Sequence, residues 1–136
     1  MLVGIGINSI SGENKNRSDV KEINVNSSPT IENIETRNMP GIGTVLIVEF
    51  KFETKYEPGI GIITIKGSLM YKVRDPVKIS EEWKNSKRLP KDVAIDILNN
   101  IFRFSLTKIV GYSNDLRLPP PIKFPVVKSA EEYTKK

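Results

Sequence analysis

Residues 45–74 read VLIVEFKFETKYEPGIGIITIKGSLMYKVR, and apolar and polar residues alternate on both sides of a Glu57-Pro58-Gly59 turn. In each half, one set of alternate positions is mainly apolar: Leu46, Val48, Phe50, Phe52, Thr54, Tyr56, then Ile63, Ile65, Gly67, Leu69, Tyr71 and Val73. A period of two over this length is typical of strands with one buried face. Proline followed by glycine suits the centre of a tight turn. The stretch therefore predicts a long antiparallel hairpin, with residues 45–57 paired to residues 60–74.

The opposite face of this hairpin mixes charged and apolar residues: Ile47, Glu49, Lys51, Glu53 and Lys55 on one strand, and Ile62, Thr64, Lys66, Ser68, Met70 and Lys72 on the other. Opposite charges on neighbouring strands stabilise a solvated face slightly. The apolar members of the set predict that another part of the molecule covers this face in part.

Two further strands are predicted before the hairpin. Residues 2–10 alternate through Val3, Ile5 and Ile7, and the polar stretch 11–22 predicts a loop. Residues 23–38 alternate more weakly, and Pro29 interrupts them. Because proline cannot donate to a strand ladder, this segment is predicted to be an edge strand or a bent one.

Residues 75–90 follow the hairpin and predict a long crossover loop, in which Ser80 could cap one helical turn through Glu81 and Glu82. The loop holds Trp83, the single tryptophan of the chain. The ring could fill the core or contact a partner. Its polar neighbours, Glu82 and Lys84, favour a partly exposed ring lying over an apolar groove.

A helix is predicted over residues 90–110, with Pro90 at its start and Gly111 as its C-cap. Its polar residues fall on one stripe: Asp92, Asp96, Asn99, Arg103 and Thr107. Apolar residues occupy well over half of the circumference, whereas a helix lying on a sheet needs a stripe of only about 100°. The sheet can cover one side, so a second subunit or a ligand is expected to cover the other.

These elements predict an α+β fold: a four-stranded antiparallel sheet, a long crossover loop, one long helix packed on the sheet, and a Pro-rich extended C-terminal segment at 116–127. Residues 1–127 are expected to form a single domain, and residues 128–136 a frayed polar tail.

Composition excludes several kinds of chemistry. The 136 residues include no Cys and no His, which removes thiolate metal sites, cysteine nucleophiles and the commonest general base. The acidic pairs Asp92/Asp96 and Glu81/Glu82 read as solvated surface, so neither catalysis, a metal nor a cofactor is expected. No apolar run reaches the ~20 residues of a membrane helix, and the N-terminus lacks a charged leader, so a cytoplasmic protein without membrane insertion is expected.

The stretch NNIFRFSLTKIVGYSNDLRLPPPIKFP (99–125) resembles the SecB-like protein-export chaperones. It is similar to that family's Asn-led, aromatic-containing helix, short break and Pro-rich closing segment: Asn99, Phe102 and Phe104 open it, and Leu118, Pro119, Pro121 and Phe124 close it. The hairpin 45–57/60–74 matches the family's central hairpin in length and place. The resemblance extends over residues 2–127.

The resemblance implies a cytoplasmic, ATP-independent holdase active in protein transport, assembled as a homotetramer that is a dimer of dimers. Members of that family bind unfolded polypeptides in apolar grooves between sheet, crossover loop and helix. The matching groove positions are Ile62, Met70, Trp83, Leu89, Ile101 and Phe104. Phe102, Leu106 and Ile109 are expected at the oligomer interface. Family members that contact the SecA motor do so through an acidic patch, and the basic character of this chain argues against that contact.

A basic partner-binding or nucleic-acid-binding assembly module without chaperone activity is the alternative. The net charge is +5, and the densest basic patch is Lys84, Lys87, Arg88 and Lys91, beside Trp83. Single-strand binders interleave such charges with several aromatic residues, which argues against nucleic acid here. The sequence leaves the client open, whether general or one dedicated partner.

Overall fold

The computed structural model describes residues 1–15 and 22–121. Its elements are β1 (Leu2–Asn14), β2 (Asn24–Met39), β3 (Gly43–Glu57), β4 (Gly61–Tyr71), α1 (Pro76–Ser86) and α2 (Lys91–Asp115). The four strands form one antiparallel sheet in the order β1-β4-β3-β2. Both helices lie on the same face of it, and the core cluster joins them to that face. The predicted α+β class and four-stranded sheet are confirmed.

The central hairpin forms as predicted. Strands β3 and β4 pair from Leu46↔Tyr71 to Tyr56↔Gly61, and Gly59 takes a φ of 60° in the turn, a conformation that glycine adopts without strain. The predicted inner face of β3 and β4 is buried throughout, from Leu46 to Tyr71. On the outer face, Lys51 bonds Glu53 at 2.9 Å, so charged residues pair on the face predicted to be solvated.

The two remaining strands lie at the edges of the sheet. Pro29 sits within β2, which among the described residues pairs with β3 alone, so the edge position is confirmed. A bulge interrupts β2 between Ile31 and Asn33. Strand β1 continues past residue 10 to Asn14, so the predicted loop is wrong at 11–14. Residues 11–14 continue the backbone pairing with β4, for example Ser11↔Thr64, although their composition is typical of turns.

The predicted crossover loop 75–90 is wrong, because residues 76–86 form helix α1. Pro76 stands at its first turn, where its missing N–H costs nothing. Helical spacing places Ile79, Ser80 and Trp83 toward the sheet. Trp83 is only 6% exposed and belongs to the core, so the predicted partly exposed ring is also wrong. In a helix, the polar neighbours of a residue point elsewhere, so they say nothing about its burial.

Helix α2 is longer than predicted, because it passes through Gly111 and ends at Asp115. Its sheet-facing row has a spacing of four residues: Ile97, Ile101, Ser105, Ile109 and Ser113, all buried. The last of these residues, Ser113, lies beyond Gly111 and is still buried, so the packed face of the helix continues past the glycine.

After α2 the chain returns to the sheet. Leu116 accepts a 2.8 Å hydrogen bond from the Asn14 side chain at its carbonyl, and Leu118 is 5% exposed against Gly61. The predicted extended segment is described as far as Pro121. Its remainder (122–127) and the predicted tail 128–136 lie outside the described residues.

Gly67 is predicted to be indispensable because β1 and Phe50 occupy the space of its missing side chain. An added Cβ would lie 2.2 Å from the Gly6 carbonyl oxygen and 2.8 Å from Cζ of Phe50. Gly67→Ala should therefore lower the free energy of unfolding by about 2 kcal/mol or more, as overpacking does. Urea denaturation measures this change.

Gly6→Ala is the matched control, since Gly6 lies in the neighbouring strand with nothing within 4 Å of an added Cβ. It should stay within about 0.5 kcal/mol of the wild type. Equal stability of the two variants would contradict the packing described.

Candidate functional site

A groove opens at the corner where α1, the start of α2 and edge strand β2 meet. Its volume is about 360 Å³. We call it the Trp83 groove, and its lining is Ile31, Glu32, Trp83, Lys87, Leu89, Ala94 and Leu98. Five of these seven side chains are apolar, and they come from β2, α1, α2 and the connection between the two helices. The groove is therefore an open, mainly apolar surface beside the exposed edge of a sheet.

Trp83 forms the floor of the groove and Lys87 lies across it. The Lys87 Nζ atom is 3.9 Å from the centroid of the Trp83 ring, within the range of a cation–π interaction. Lys87 is the C-cap of α1 with a φ of 58°, and its backbone N–H donates to the Trp83 carbonyl at 2.8 Å. The end of α1 thus fixes the ring and the cation together.

The β2 wall of the groove is formed at the bulge. Ile31 is half-buried and packs against the core, while Glu32 is exposed at the irregular position of the strand. One turn before Trp83, the Ser80 hydroxyl lies 3.5 Å from the Ile34 carbonyl oxygen. This buried contact ties α1 to β2 and holds the two walls of the groove together.

The structure brings two of the six predicted groove residues together, Trp83 and Leu89. Ile62 and Met70 are half-buried on the opposite face of the sheet. Ile101 is 0% exposed in the core, where nothing can bind it. Phe104 is half-buried on α2 with Lys108 over its ring at 5.8 Å, and it does not line the groove.

Sequence reasoning missed three apolar lining residues, Ile31, Ala94 and Leu98. In the sequence, Ile31 belongs to the weak alternation of residues 23–38. Ala94 and Leu98 are two of the many apolar residues of the predicted helix. None of these signals says which positions meet at one corner, since that depends on where α1 docks.

The three residues predicted at the oligomer interface differ in their burial. Ile109 is 0% exposed inside its own chain, so its assignment to a subunit interface is wrong. Phe102 packs edge-on against Phe52, with ring centroids 5.3 Å apart, and remains half-buried. Half-buried and exposed apolar residues nevertheless recur along α2 at spacings of three and four, and we call them the α2 row: Ile95, Leu98, Phe102 and Leu106. Ile95, at 50% exposed, is the most open of them.

A second, more polar cleft lies where β4 ends against the starts of both helices, with a volume of about 550 Å³. In its wall, the Tyr71 hydroxyl donates a hydrogen bond to the Asp96 carboxylate. Asp96 is thus half-buried and bonded, not a member of a solvated stripe as predicted. Burial, together with the Asp96 and Asp92 carboxylates, raises the pKa of Tyr71 to about 12.

Two kinds of site are not found in the described part of the chain. Among residues 1–15 and 22–121, no three Asp or Glu side chains lie close enough to share a metal ion. Neither of the two described helices is long and apolar enough to cross a membrane.

Comparison with known proteins gives a structural similarity only. No family model and no curated protein matches this sequence. The fold is similar to that of the Mycobacterium tuberculosis SecB-like chaperone Rv1957, solved in complex with a ChAD peptide from the HigA1 antitoxin Rv1956. The TM-score is 0.53 at 7% sequence identity, and the similarity covers 95% of this chain and 91% of that chain. At this identity it establishes a SecB-like fold and nothing about activity.

Tyr71→Phe should destabilise the protein in a pH-dependent way. The phenol loses its proton near pH 10 in the unfolded chain but only near pH 12 in the folded one. Between these values the folded state binds more protons, so wild-type stability falls as the pH rises, by at most about 2–3 kcal/mol. Phenylalanine has no proton to lose, so the difference in free energy of unfolding between the wild type and the variant should be largest below pH 10 and become smaller above it. Urea denaturation of both proteins across this range measures that difference, and a difference independent of pH would contradict the assignment.

Proposed function

We propose that the protein is an ATP-independent chaperone that holds unfolded polypeptide in the Trp83 groove. The observation that carries this proposal is the groove itself: an open groove of about 360 Å³, mainly apolar in its lining and formed between two helices and a sheet edge. The fold similarity supports it, since Rv1957 is a SecB-like chaperone solved with a bound peptide.

The chemistry of the lining suits this role. Apolar side chains of an unfolded chain gain about 25 cal/mol for each Å² of apolar surface they remove from water. The half-buried Leu89 and Leu98 offer such surface without a deep, shape-specific pocket. A shallow groove of this kind selects for apolar character more than for one sequence. Nucleotide has no place in the proposal, because the Gly-Ile-Gly pairs of the sequence lack the lysine of a phosphate loop.

The proposal includes assembly, as a homotetramer built from two dimers, and a cytoplasmic role in protein transport. The α2 row supports the assembly, because its four apolar side chains leave surface exposed along one flank of α2 that a second subunit would cover. Leu98 belongs both to this row and to the groove. Assembly through the row would therefore bring the groove close to a subunit boundary.

The holdase activity is tested by light scattering from a denatured client enzyme diluted into buffer without nucleotide. We expect the wild type to suppress aggregation at stoichiometric concentration. Leu89→Asn should weaken client binding about tenfold, since an anchoring apolar contact contributes 1–2 kcal/mol. Met70→Gln, on the opposite face of the sheet, is the matched control and should act as the wild type does.

Two results of the aggregation assay would contradict different parts of the proposal. A wild type that leaves aggregation unchanged would refute the chaperone function. Suppression that is lost in Met70→Gln and kept in Leu89→Asn would place the client site on the other face of the sheet.

Assembly is tested by light scattering after size-exclusion chromatography. We expect an oligomer for the wild type and dissociation for Ile95→Glu, since an unpaired charge in an apolar interface costs several kcal/mol. Val77→Glu is the control, because Val77 is 55% exposed on α1 and outside the α2 row. A wild-type monomer at micromolar concentration would refute the assembly, and dissociation by both variants would refute the role of the row.

A further inference from the structure

The segment that leads from the end of α1 to the start of α2 contributes Lys87 and Leu89 to the Trp83 groove, and this segment carries a dense positive charge. Residues 84–91 read KNSKRLPK, with four basic residues and no acidic one: Lys84, Lys87, Arg88 and Lys91. All four are exposed. Within the described parts of the chain, none of the four forms an ion pair with a carboxylate. The positive charge at this rim is therefore available to a ligand.

The acidic residues nearby are directed elsewhere, with one exception. Glu82 of α1 and Asp92 of α2 line the second cleft, on the other side of α1. Glu81 lines a shallow depression beside Arg74. Only Glu32, on the β2 wall, lines the Trp83 groove itself. The two charged residues that line the groove are Lys87 and Glu32, and the adjoining segment 84–91 adds three further basic residues and no acidic one.

We propose that the Trp83 groove selects polypeptide segments in which an apolar anchor is flanked by carboxylates. The proposal rests on the proposed function and names the class of client. The anchor would contact Leu89 and Leu98, while Asp or Glu residues beside it pair with Lys84, Lys87 and Arg88. Exposed pairs of this kind contribute modestly one by one, but they act together at one rim and repel basic segments.

Lys87 takes part in two ways. Its ammonium group covers the Trp83 ring at 3.9 Å, so a carboxylate that pairs with Lys87 lies next to the tryptophan. An anchor entering the groove also changes the surroundings of this ring. Because Trp83 is the single tryptophan of the chain, its fluorescence reports both events without interference.

Nucleic acid would also be attracted to a basic rim, and the structure favours the peptide. Proteins that bind single strands stack bases on open aromatic faces. Trp83 is only 6% exposed and lies under Lys87, so it offers no such face. Its contribution is to an apolar groove that takes a side chain.

The test is a titration of the full chain, followed by Trp83 fluorescence, with three tryptophan-free nonapeptides. The first has a Leu-Phe-Leu centre flanked by Asp and Glu, the second has the same centre flanked by Lys, and the third keeps the acidic flanks around a Ser centre. At low salt the first should bind about tenfold tighter than the second, and the advantage should fall to about threefold or less at 0.5 M NaCl. The third should cause no saturable change.

Charge reversal at the rim supplies a second arm. Lys84→Glu/Arg88→Glu should weaken the acidic peptide about tenfold, given two lost and reversed surface pairs, and leave the Ser-centred peptide unbound. Lys55→Glu/Lys66→Glu is the matched control, because it changes the net charge equally on the outer face of the sheet. It should keep the affinity of the wild type.

The outcomes separate this inference from the proposed function. Equal binding of the acidic and basic peptides would overturn the acidic preference while the chaperone function stands. Equal loss in both double variants would show a response to net charge and also overturn it. Tighter binding of a single-stranded oligonucleotide than of the acidic peptide would assign the rim to nucleic acid. Binding of no peptide would refute the proposed function itself.

Discussion

The apolar inner face of the β3–β4 hairpin has to be covered, and the rest of the structure follows from how this is done. Phe50 and Phe52 are fully buried at its centre, and Gly67 leaves the space that Phe50 fills. A single helix, about 10 Å across, is too narrow to cover a sheet of four strands that lie about 4.8 Å apart. Helix α2 crosses the inner face with one row of residues, and α1 covers the margin at β2. The second helix is therefore required by the width of the sheet.

The candidate site arises where this cover is incomplete. Helices α1 and α2 meet β2 at a corner, and the bulge between Ile31 and Asn33 bends the strand there. Ile31, Trp83 and Leu89 at this corner pack in or against the core with one side and line the groove with the other. Such residues stabilise the fold and also keep apolar surface open to solvent. Open apolar patches of this kind mark interaction sites on proteins that are otherwise well packed.

The sequence predicted the sheet well because its period-two pattern is local. Each alternate residue from Leu46 to Tyr56 could be assigned to the buried face without knowing what covers it. Trp83 shows the limit. Its neighbours Glu82 and Lys84 indicated an exposed loop, but in α1 they lie on other sides of the helix. The helix becomes recognisable only once a partner surface exists, since its own apolar pattern is weak.

The groove could be predicted only in part for the same reason. Its basic rim is contiguous in the sequence at 84–91, so the sequence alone identifies it as a basic patch. Its apolar lining comes from β2, α1, α2 and the connection between the two helices, at positions separated by up to 67 residues along the chain, from Ile31 to Leu98. Ile101 was assigned to the groove by the family resemblance, and Ile109 to the oligomer interface because α2 has more apolar residues than one face needs. The docking angle of the helix decides which of them are buried, and this angle is not encoded in a local pattern.

The central claim is that polypeptide binds at the corner of α1, α2 and β2 and not on the outer face of the sheet. Methyl-resolved NMR of the full chain, titrated with an unfolded client, tests it most directly. The account predicts that the methyl signals of Ile31, Leu89 and Leu98 shift together and saturate, while those of Ile62 and Met70 stay unchanged. Shifts confined to Ile62 and Met70 would contradict it.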